Sequence, residues 1–200
     1  MWGAWGHVLR PAVVGLLVAV LAIRLLVRVR RLRGVPRSRA WRHSVAEVGM
    51  VVGTAPWLWM ILTPQPGEGG LSLVPFQDLA AQFSGATSSA VVQVGGNLLV
   101  LAALGFFLPV RFSLATGPGG LGVPARPGVP ARPGVPAGPR GRTAAVLLRV
   151  GGVLVAVAVT VEVLQYVLGL GRVTSVDDVL VNVAGGLLAA LCSRRWWAAG

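Results

Sequence analysis

Charge is scarce in this chain, and the charge that is present is almost all of one sign. The 200 residues contain no lysine, 18 arginines and six acidic residues, and charged residues make up only 12% of the total. A soluble domain carries about 25% charged residues. Apolar residues reach 54%, and the mean hydropathy is +0.74. The composition therefore excludes an ordinary soluble domain and predicts a single integral membrane domain.

The chain also lacks the residues on which several common kinds of site depend. A single cysteine, Cys192, excludes an internal disulfide and a CxxC metal or redox motif. His7 and His43 stand alone, without the spacing of metal ligands. The sequence has no Walker loop, HExxH, GxSxG or dinucleotide fingerprint. We therefore predict no metal site and no cofactor.

The net charge of +12 raises the question of nucleic-acid binding, for which a basic face is typical. Here the arginines lie between apolar runs and not on a soluble surface. Membrane lipids are accordingly the expected surroundings of the chain, and we expect no nucleic-acid partner.

Apolar stretches of bilayer length recur along the chain. A membrane-spanning helix needs about 20 residues at a rise of about 1.5 Å each. Five stretches approach that length, the last of them short, near residues 9–29, 45–63, 90–110, 144–168 and 176–193. The first lacks a small-x-small cleavage site and ends in arginines, which favours a retained anchor over a signal peptide. The sequence predicts an all-α, polytopic helical membrane protein with about five transmembrane helices (four or five).

Arginines are divided unequally between the two sides of these predicted spans. Fourteen lie in loops 28–42 and 111–143 and in the C-terminal tail, and only two lie on the opposite side. Arginine-rich loops stay in the cytoplasm. The distribution predicts an N-terminus outside, a C-terminus in the cytoplasm, and segments 64–89 and 169–175 outside.

The longest predicted cytoplasmic loop contains an internal repeat. GVPARP occurs twice and GVPAGP follows, over residues 122–139. Proline at this density favours polyproline II, so a spacer is expected here. We predict an N-terminal anchor helix with an Arg-rich cytoplasmic loop at 1–43, a membrane domain at 44–193 interrupted by a Gly/Pro/Arg linker at 112–143, and a cytoplasmic tail at 194–200.

Polar side chains interrupt three of the apolar spans at one depth. Glu162 lies about six residues before the outer end of its span, and Asn182 about six residues inside the next one. Asn97 lies about seven residues inside the third span, so all three are about 9–10 Å below the outer surface. Polar groups are costly to keep in hydrocarbon, which makes such a cluster a functional-site hypothesis.

The spacing of further polar residues supports a shared site. Glu162 and Gln165 lie at i, i+3 on one helix face, and Asp178 and Asn182 lie at i, i+4 on another. Arg172, in the outer turn between these helices, could pair with either carboxylate or bind an anionic group. The sequence leaves these alternatives open.

Part of this region also has a structural explanation. Ser175 can N-cap the last helix, which puts Asp178 at the capping-box position and Asp177 in the favourable first turn. Gly185-x-x-x-Ala189 is a small-xxx-small pattern that allows close helix packing.

Four motifs in order resemble the VanZ-like membrane protein family. They are Leu73-Val-Pro75-Phe76, Asn97-Leu-Leu-Val-Leu-Ala-Ala-Leu-Gly105-Phe-Phe-Leu-Pro109, Glu162-x-x-Gln165 and Arg172-x-x-Ser175-x-x-Asp178-x-x-x-Asn182-x-x-Gly185. The resemblance runs from about residue 55 to 192. It implies a multi-pass protein of the bacterial cytoplasmic (inner) membrane. Because the family is named for a member associated with teicoplanin resistance, it also implies a role in glycopeptide resistance.

Three functions remain open at this point. The favoured one is a non-enzymatic envelope protein that binds a lipid-linked envelope precursor or an amphiphilic antibiotic at the outer cluster. The second is a membrane-embedded enzyme that acts on a cell-envelope lipid, with Glu162 as general acid or base. The third is a transporter or proton relay, which no visible inverted repeat supports. The candidate ligand-binding residues are Asn97, Glu162, Gln165, Arg172, Asp178 and Asn182.

Overall fold

Helices make up most of the part of the chain that the structure describes. The computed structural model describes residues 2–67, 69–84, 87–112 and 139–198. In these ranges the elements are α1 (Trp2–Leu32), α2 (Arg37–Ile61), β1 (Gly70–Ser72), α3 (Gln77–Ser84), α4 (Thr87–Val100), α5 (Ala102–Phe112), α6 (Pro139–Val167), β2 (Val173–Ser175), α7 (Val176–Cys192) and α8 (Arg194–Ala198). Most of the predicted linker at 112–143 lies outside the described residues, and α6 already begins at Pro139.

Within the described ranges, four helical segments are long and apolar enough to cross a membrane. They are Pro11–Leu32, Arg37–Ile61, Val91–Phe112 and Arg142–Val167. The predicted all-α, polytopic architecture is confirmed, with a span count at the lower of the two predicted values. The fifth predicted span corresponds to α7, whose 17 residues are at the short end of the range for a bilayer crossing. The orientation of the termini stays a prediction.

The outward faces of the long helices are apolar. Leu16, Leu21 and Leu25 on α1 and Leu148 on α6 are each more than 60% exposed. A soluble monomer rarely exposes contiguous apolar surface on this scale. These faces are therefore the lipid-contacting surface of the protein.

The segment predicted as an Arg-rich loop at 28–42 is mostly helical, so that part of the sequence interpretation was wrong. α1 continues to Leu32, α2 starts at Arg37, and only a short turn separates them. Arginine is a good helix former, and the chain breaks only where Gly34 has a φ of 80° and Pro36 precedes α2.

An ion-pair cluster ties three helices together at this end of the bundle. The Glu47 carboxylate accepts hydrogen bonds from Arg30 of α1 and Arg111 of α5. Arg30 also donates to the Ser44 hydroxyl. We call Arg30, Glu47 and Arg111 the basic-end cluster.

The third span is made of two helices. α4 ends at Val100 and α5 begins at Ala102, with Leu101 in a turn between them and completely buried. The Gly105 N–H donates to the Leu101 carbonyl oxygen at 2.9 Å, so helical hydrogen bonding resumes at once. The interruption is therefore confined to one residue, and α4 and α5 together form one segment long enough to cross a membrane.

α7 occupies the centre of the bundle, in contact with α4, α5 and α6. Its glycines allow direct backbone contact: a Cβ at Gly185 would lie 2.0 Å from the Leu98 carbonyl oxygen. A Cβ at Gly105 would lie 2.0 Å from the Gly186 carbonyl oxygen. The small-residue pattern of α7 thus marks close helix packing within the chain.

Two short strands join the connections at the opposite end from the basic-end cluster. β1 and β2 pair in parallel, with Gly70 opposite Val173 and Ser72 opposite Ser175. This pairing was not predicted from the sequence. It links the connection after α2 to the turn before α7, a separation of about 100 residues that leaves no local pattern.

The tight contact at Gly185 predicts that the effect of a Gly→Ala substitution on stability depends strongly on its position. We expect Gly185→Ala to lower the free energy of unfolding by about 1–3 kcal/mol, because the new methyl group collides with backbone that cannot rotate away. Thermal unfolding of the purified protein, followed by tryptophan fluorescence, measures the change.

Gly152→Ala is the matched control for this substitution. Gly152 also lies inside a helix, but a Cβ there would meet nothing within 4 Å. Alanine is the better helix former, so stability should be kept or raised. Equal destabilisation by both substitutions would contradict the packing described for α7.

Candidate functional site

A polar cavity of about 250 Å³ lies among α4, α6, α7 and the end of α2. All six residues predicted to form a ligand site line it. The lining residues are Ile61, Gln93, Asn97, Val100, Glu162, Gln165, Arg172, Val173, Asp178 and Asn182. Gln93 was missed, although its i, i+4 spacing from Asn97 in an apolar span could have revealed it.

The cavity lies far from the basic-end cluster along the bundle. Ile61, at the end of α2, lines the cavity, whereas Glu47 is 14 residues earlier on the same helix. At 1.5 Å per residue the two positions are about 21 Å apart. The sites of dense positive charge and of polar clustering are therefore at opposite ends.

Glu162 joins α6 to the start of α7. It is only 6% exposed, and its Oε2 accepts a hydrogen bond from the Ser175 N–H at 3.1 Å. Ser175 caps α7 as predicted, since its side chain accepts from the Asp177 N–H. The predicted capping-box role of Asp178 was wrong, because the Ser175 N–H is already taken by Glu162.

Asp178 instead joins α7 to α4. The Asn97 side-chain amide donates a hydrogen bond to the Asp178 carboxylate. Two polar residues from different spans thus satisfy each other at the cavity wall, which is how polar groups persist in apolar surroundings.

Gln165 satisfies the end of α2. Its Nε2 donates to the Ile61 carbonyl oxygen at 2.9 Å, and Gln165 is only 6% exposed. The last carbonyls of a helix have no partner within the helix, so a side chain from α6 supplies one. This residue therefore has a structural role as well as a place in the cavity lining.

Two atoms at the cavity lack such partners. Asn182 is 4% exposed, and its Oδ1 has no hydrogen-bond partner among the described residues. The Arg172 Nε is also buried without a partner within the described ranges. A buried polar atom left without a hydrogen bond costs about 1–3 kcal/mol. One unsatisfied acceptor and one unsatisfied donor thus line the same cavity.

In the part of the chain that the structure describes, Arg172 does not pair with either of the carboxylates that the sequence offered as its partners. Among the described residues, neither Glu162 nor Asp178 forms an ion pair with its guanidinium, whereas Glu47 pairs with Arg30 and Arg111. A long contact of 3.4 Å joins Arg172 Nη2 to the Met60 carbonyl oxygen. The charged lining therefore comprises two carboxylates and one guanidinium that does not neutralise either of them directly.

Metal ligands are not clustered at this site. The described residues contain no group of three or more His, Cys, Asp or Glu side chains placed to hold a metal ion. The cavity is lined by hydrogen-bond donors and acceptors, and by both negatively and positively charged side chains.

Asp177 holds the segment around α3 against α7. Its carboxylate is 2% exposed and accepts the Phe76 N–H at 2.5 Å and the Leu79 N–H at 3.0 Å. The Ser175 hydroxyl donates to Asp78 in the same segment. Asp177 is thus more than the first-turn carboxylate that the sequence indicated, since it binds the start of α3 across 98 residues or more.

A second, more open groove of about 620 Å³ adjoins the cavity. Gln165 and Arg172 line both spaces. The remaining walls of the groove are glycine-rich backbone and apolar side chains, together with Tyr166. Arg172 therefore lies between a polar cavity and a wider surface groove.

These features define a class: a polytopic, all-α membrane protein with a polar cavity at one end of its bundle. The family model described as VanZ/LLP1 matches residues 50–197, well over half of the chain. The chain belongs to the VanZ/LLP1 family, as its motifs indicated. No curated protein and no solved structure matches it.

The contact of Asp177 with the α3 segment can be tested by hydrogen exchange. We expect Asp177→Asn to raise the exchange rates of the Phe76 and Leu79 amides about tenfold, because asparagine offers one uncharged acceptor oxygen where the carboxylate offers two charged ones. Asp178→Asn serves as the control, since Asp178 bonds to Asn97 and not to this segment. Unchanged exchange in Asp177→Asn would contradict the assignment.

Proposed function

We propose that this VanZ/LLP1 protein binds an amphiphilic or lipid-linked ligand of the cell envelope in the polar cavity, and that this binding contributes to tolerance of teicoplanin. The observation that carries the proposal is the pair of unsatisfied buried atoms, Asn182 Oδ1 and Arg172 Nε, which belong to two residues that line the same cavity. A ligand that satisfies both recovers free energy that the protein alone leaves unrealised.

An amphiphile suits the surroundings of the cavity. Val92 on α4 and Val167 on α6 are 75% and 70% exposed, and they lie beside polar lining residues on the same helices. The polar part of a ligand can occupy the cavity while its apolar part lies along these lipid-facing surfaces. Family membership adds the connection with antibiotic resistance, and the predicted orientation adds access from outside the cell.

An enzymatic function is the second candidate. Glu162 and Asp178 line the same cavity, and paired carboxylates are a common arrangement for general acid–base chemistry. In that case the protein would convert a cell-envelope lipid, with Glu162 moving a proton and Arg172 holding an anionic group. Binding without turnover distinguishes the first candidate from this one.

Teicoplanin susceptibility in a bacterial host tests the binding function. Expression of the wild-type chain should raise tolerance several-fold over empty vector. Glu162→Gln removes the carboxylate that holds Ser175, and Asn182→Leu removes the unsatisfied acceptor, so both should return tolerance to the vector level. Membrane levels of all variants are matched by immunoblotting.

Two control variants lie on the same helices but face lipid. Val163→Ala on α6 and Leu188→Ala on α7 change side chains that are 52% and 57% exposed. Both should protect as well as wild type. If Glu162→Gln and Asn182→Leu also protect fully, the cavity is not the site of action. If purified protein turns over an envelope lipid and Glu162→Gln abolishes turnover while binding remains, the enzymatic function replaces the first.

A further inference from the structure

If the proposed binding function holds, the unsatisfied polar atoms of the cavity restrict which chemical groups the ligand can carry. Arg172 Nε is a donor and needs an acceptor, for which an anionic oxygen is the strongest partner. Asn182 Oδ1 is an acceptor and needs an N–H or O–H group. The same ligand must therefore carry an anionic acceptor and a hydrogen-bond donor.

The charges of the lining favour a cationic donor. Glu162 and Asp178 contribute two carboxylates, against the one guanidinium of Arg172. A phosphate alone would bring negative charge to two carboxylates, and an ammonium alone would leave the Arg172 Nε without an acceptor. A group with both charges satisfies the two unsatisfied atoms and opposes the excess of negative charge.

The size of the cavity sets an upper limit on this polar group. A volume of about 250 Å³ corresponds to roughly eight waters at about 30 Å³ each. A phosphate joined through two carbons to an amino group has eight non-hydrogen atoms, so it fits this space. A glycan or a peptide headgroup would extend beyond it into the adjoining groove.

We propose that the cavity selects a phosphodiester joined to a primary ammonium, the headgroup of an aminophospholipid. Arg172 binds the phosphate oxygens. Asn182 Oδ1 accepts an ammonium N–H, and the Glu162 and Asp178 carboxylates balance its charge. The acyl chains lie along the apolar surfaces of α4 and α6 next to the cavity, where Val92 and Val167 are exposed.

Three common phospholipids differ in which of the recognised features they carry: the phosphate, the positive charge and the N–H donor. Phosphatidylethanolamine has the phosphate, the positive charge and the N–H donors. Phosphatidylcholine keeps the phosphate and the charge but has no N–H group. Phosphatidylglycerol keeps the phosphate and has hydroxyl donors but lacks the cation. A protein that binds phosphatidylethanolamine in preference to both phosphatidylcholine and phosphatidylglycerol must recognise the positive charge and the N–H donor together.

The test is native mass spectrometry of the full-length protein, purified from nanodiscs that contain the three lipids in equal mole fractions. The wild type should retain phosphatidylethanolamine about tenfold more than either of the others, since one unsatisfied buried polar atom is worth about that factor. Asn182→Leu should reduce the preference over phosphatidylcholine, and Arg172→Gln should reduce retention of all three lipids. Arg195→Gln, an exposed arginine in α8, should behave as wild type.

A second arm adds soluble glycerophosphoethanolamine, which has the headgroup without acyl chains. Displacement of bound lipid by this compound at equimolar amounts would overturn a lipid as the source and leave the free headgroup compound as the ligand. Equal retention of the three lipids by wild type would overturn the headgroup assignment outright. The headgroup assignment would also be overturned if Asn182→Leu and Arg172→Gln retained the three lipids as the wild type does.

These outcomes can be told apart from failure of the proposed function. If lipid selectivity is absent but the cavity variants still abolish teicoplanin tolerance, the headgroup assignment fails and the binding function stands. If phosphatidylethanolamine is selected but the same variants keep full tolerance, the headgroup assignment stands and the connection with resistance fails.

Discussion

Backbone contact between α7 and the α4–α5 span determines where the polar groups of the cavity lie. Gly185 packs on the Leu98 carbonyl, and Gly105 packs on Gly186, at distances that leave no space for a side chain. Asn97 immediately precedes Leu98, and Asn182 lies one helical turn before Gly185. The contact that brings the two backbones together therefore also brings these amides to one cavity. Hydrocarbon offers no hydrophobic force between helices, so this close packing is a principal source of helix association.

Hydrogen bonds between polar side chains and neighbouring elements add to the glycine contacts in holding the bundle together. Asn97 bonds to Asp178, Glu162 holds Ser175, and Gln165 satisfies the end of α2 at Ile61. Each bond joins two different elements of the fold, and each satisfies a group that apolar surroundings would otherwise penalise. The cluster is therefore part of the scaffold. The proposal that it is also a binding site rests on the Asn182 Oδ1 and Arg172 Nε atoms, which the scaffold leaves without partners among the described residues.

The sequence predicted the helices and the grouping of the six candidate residues because both depend on local spacing. Span length sets the depth of a residue, and i, i+3 or i, i+4 spacing sets its face. The capping-box prediction for Asp178 failed because a residue in α6 competed for the same N–H. The β1–β2 pairing and the Asp177 contacts with the α3 segment were beyond reach for a similar reason. They join segments about 100 residues apart, and no local periodicity records such a pairing.

The proposed function requires that the cavity is open to the outside of the cell, and cysteine labelling measures this accessibility directly. In a Cys192→Ser background, Gln93→Cys places a thiol at the cavity wall and Arg31→Cys places one near the basic-end cluster. A membrane-impermeant maleimide added to intact cells is predicted to label Gln93→Cys and to reach Arg31→Cys only after permeabilisation. Labelling of Arg31→Cys in intact cells, with Gln93→Cys reached only after permeabilisation, would put the cavity on the cytoplasmic side and contradict the account.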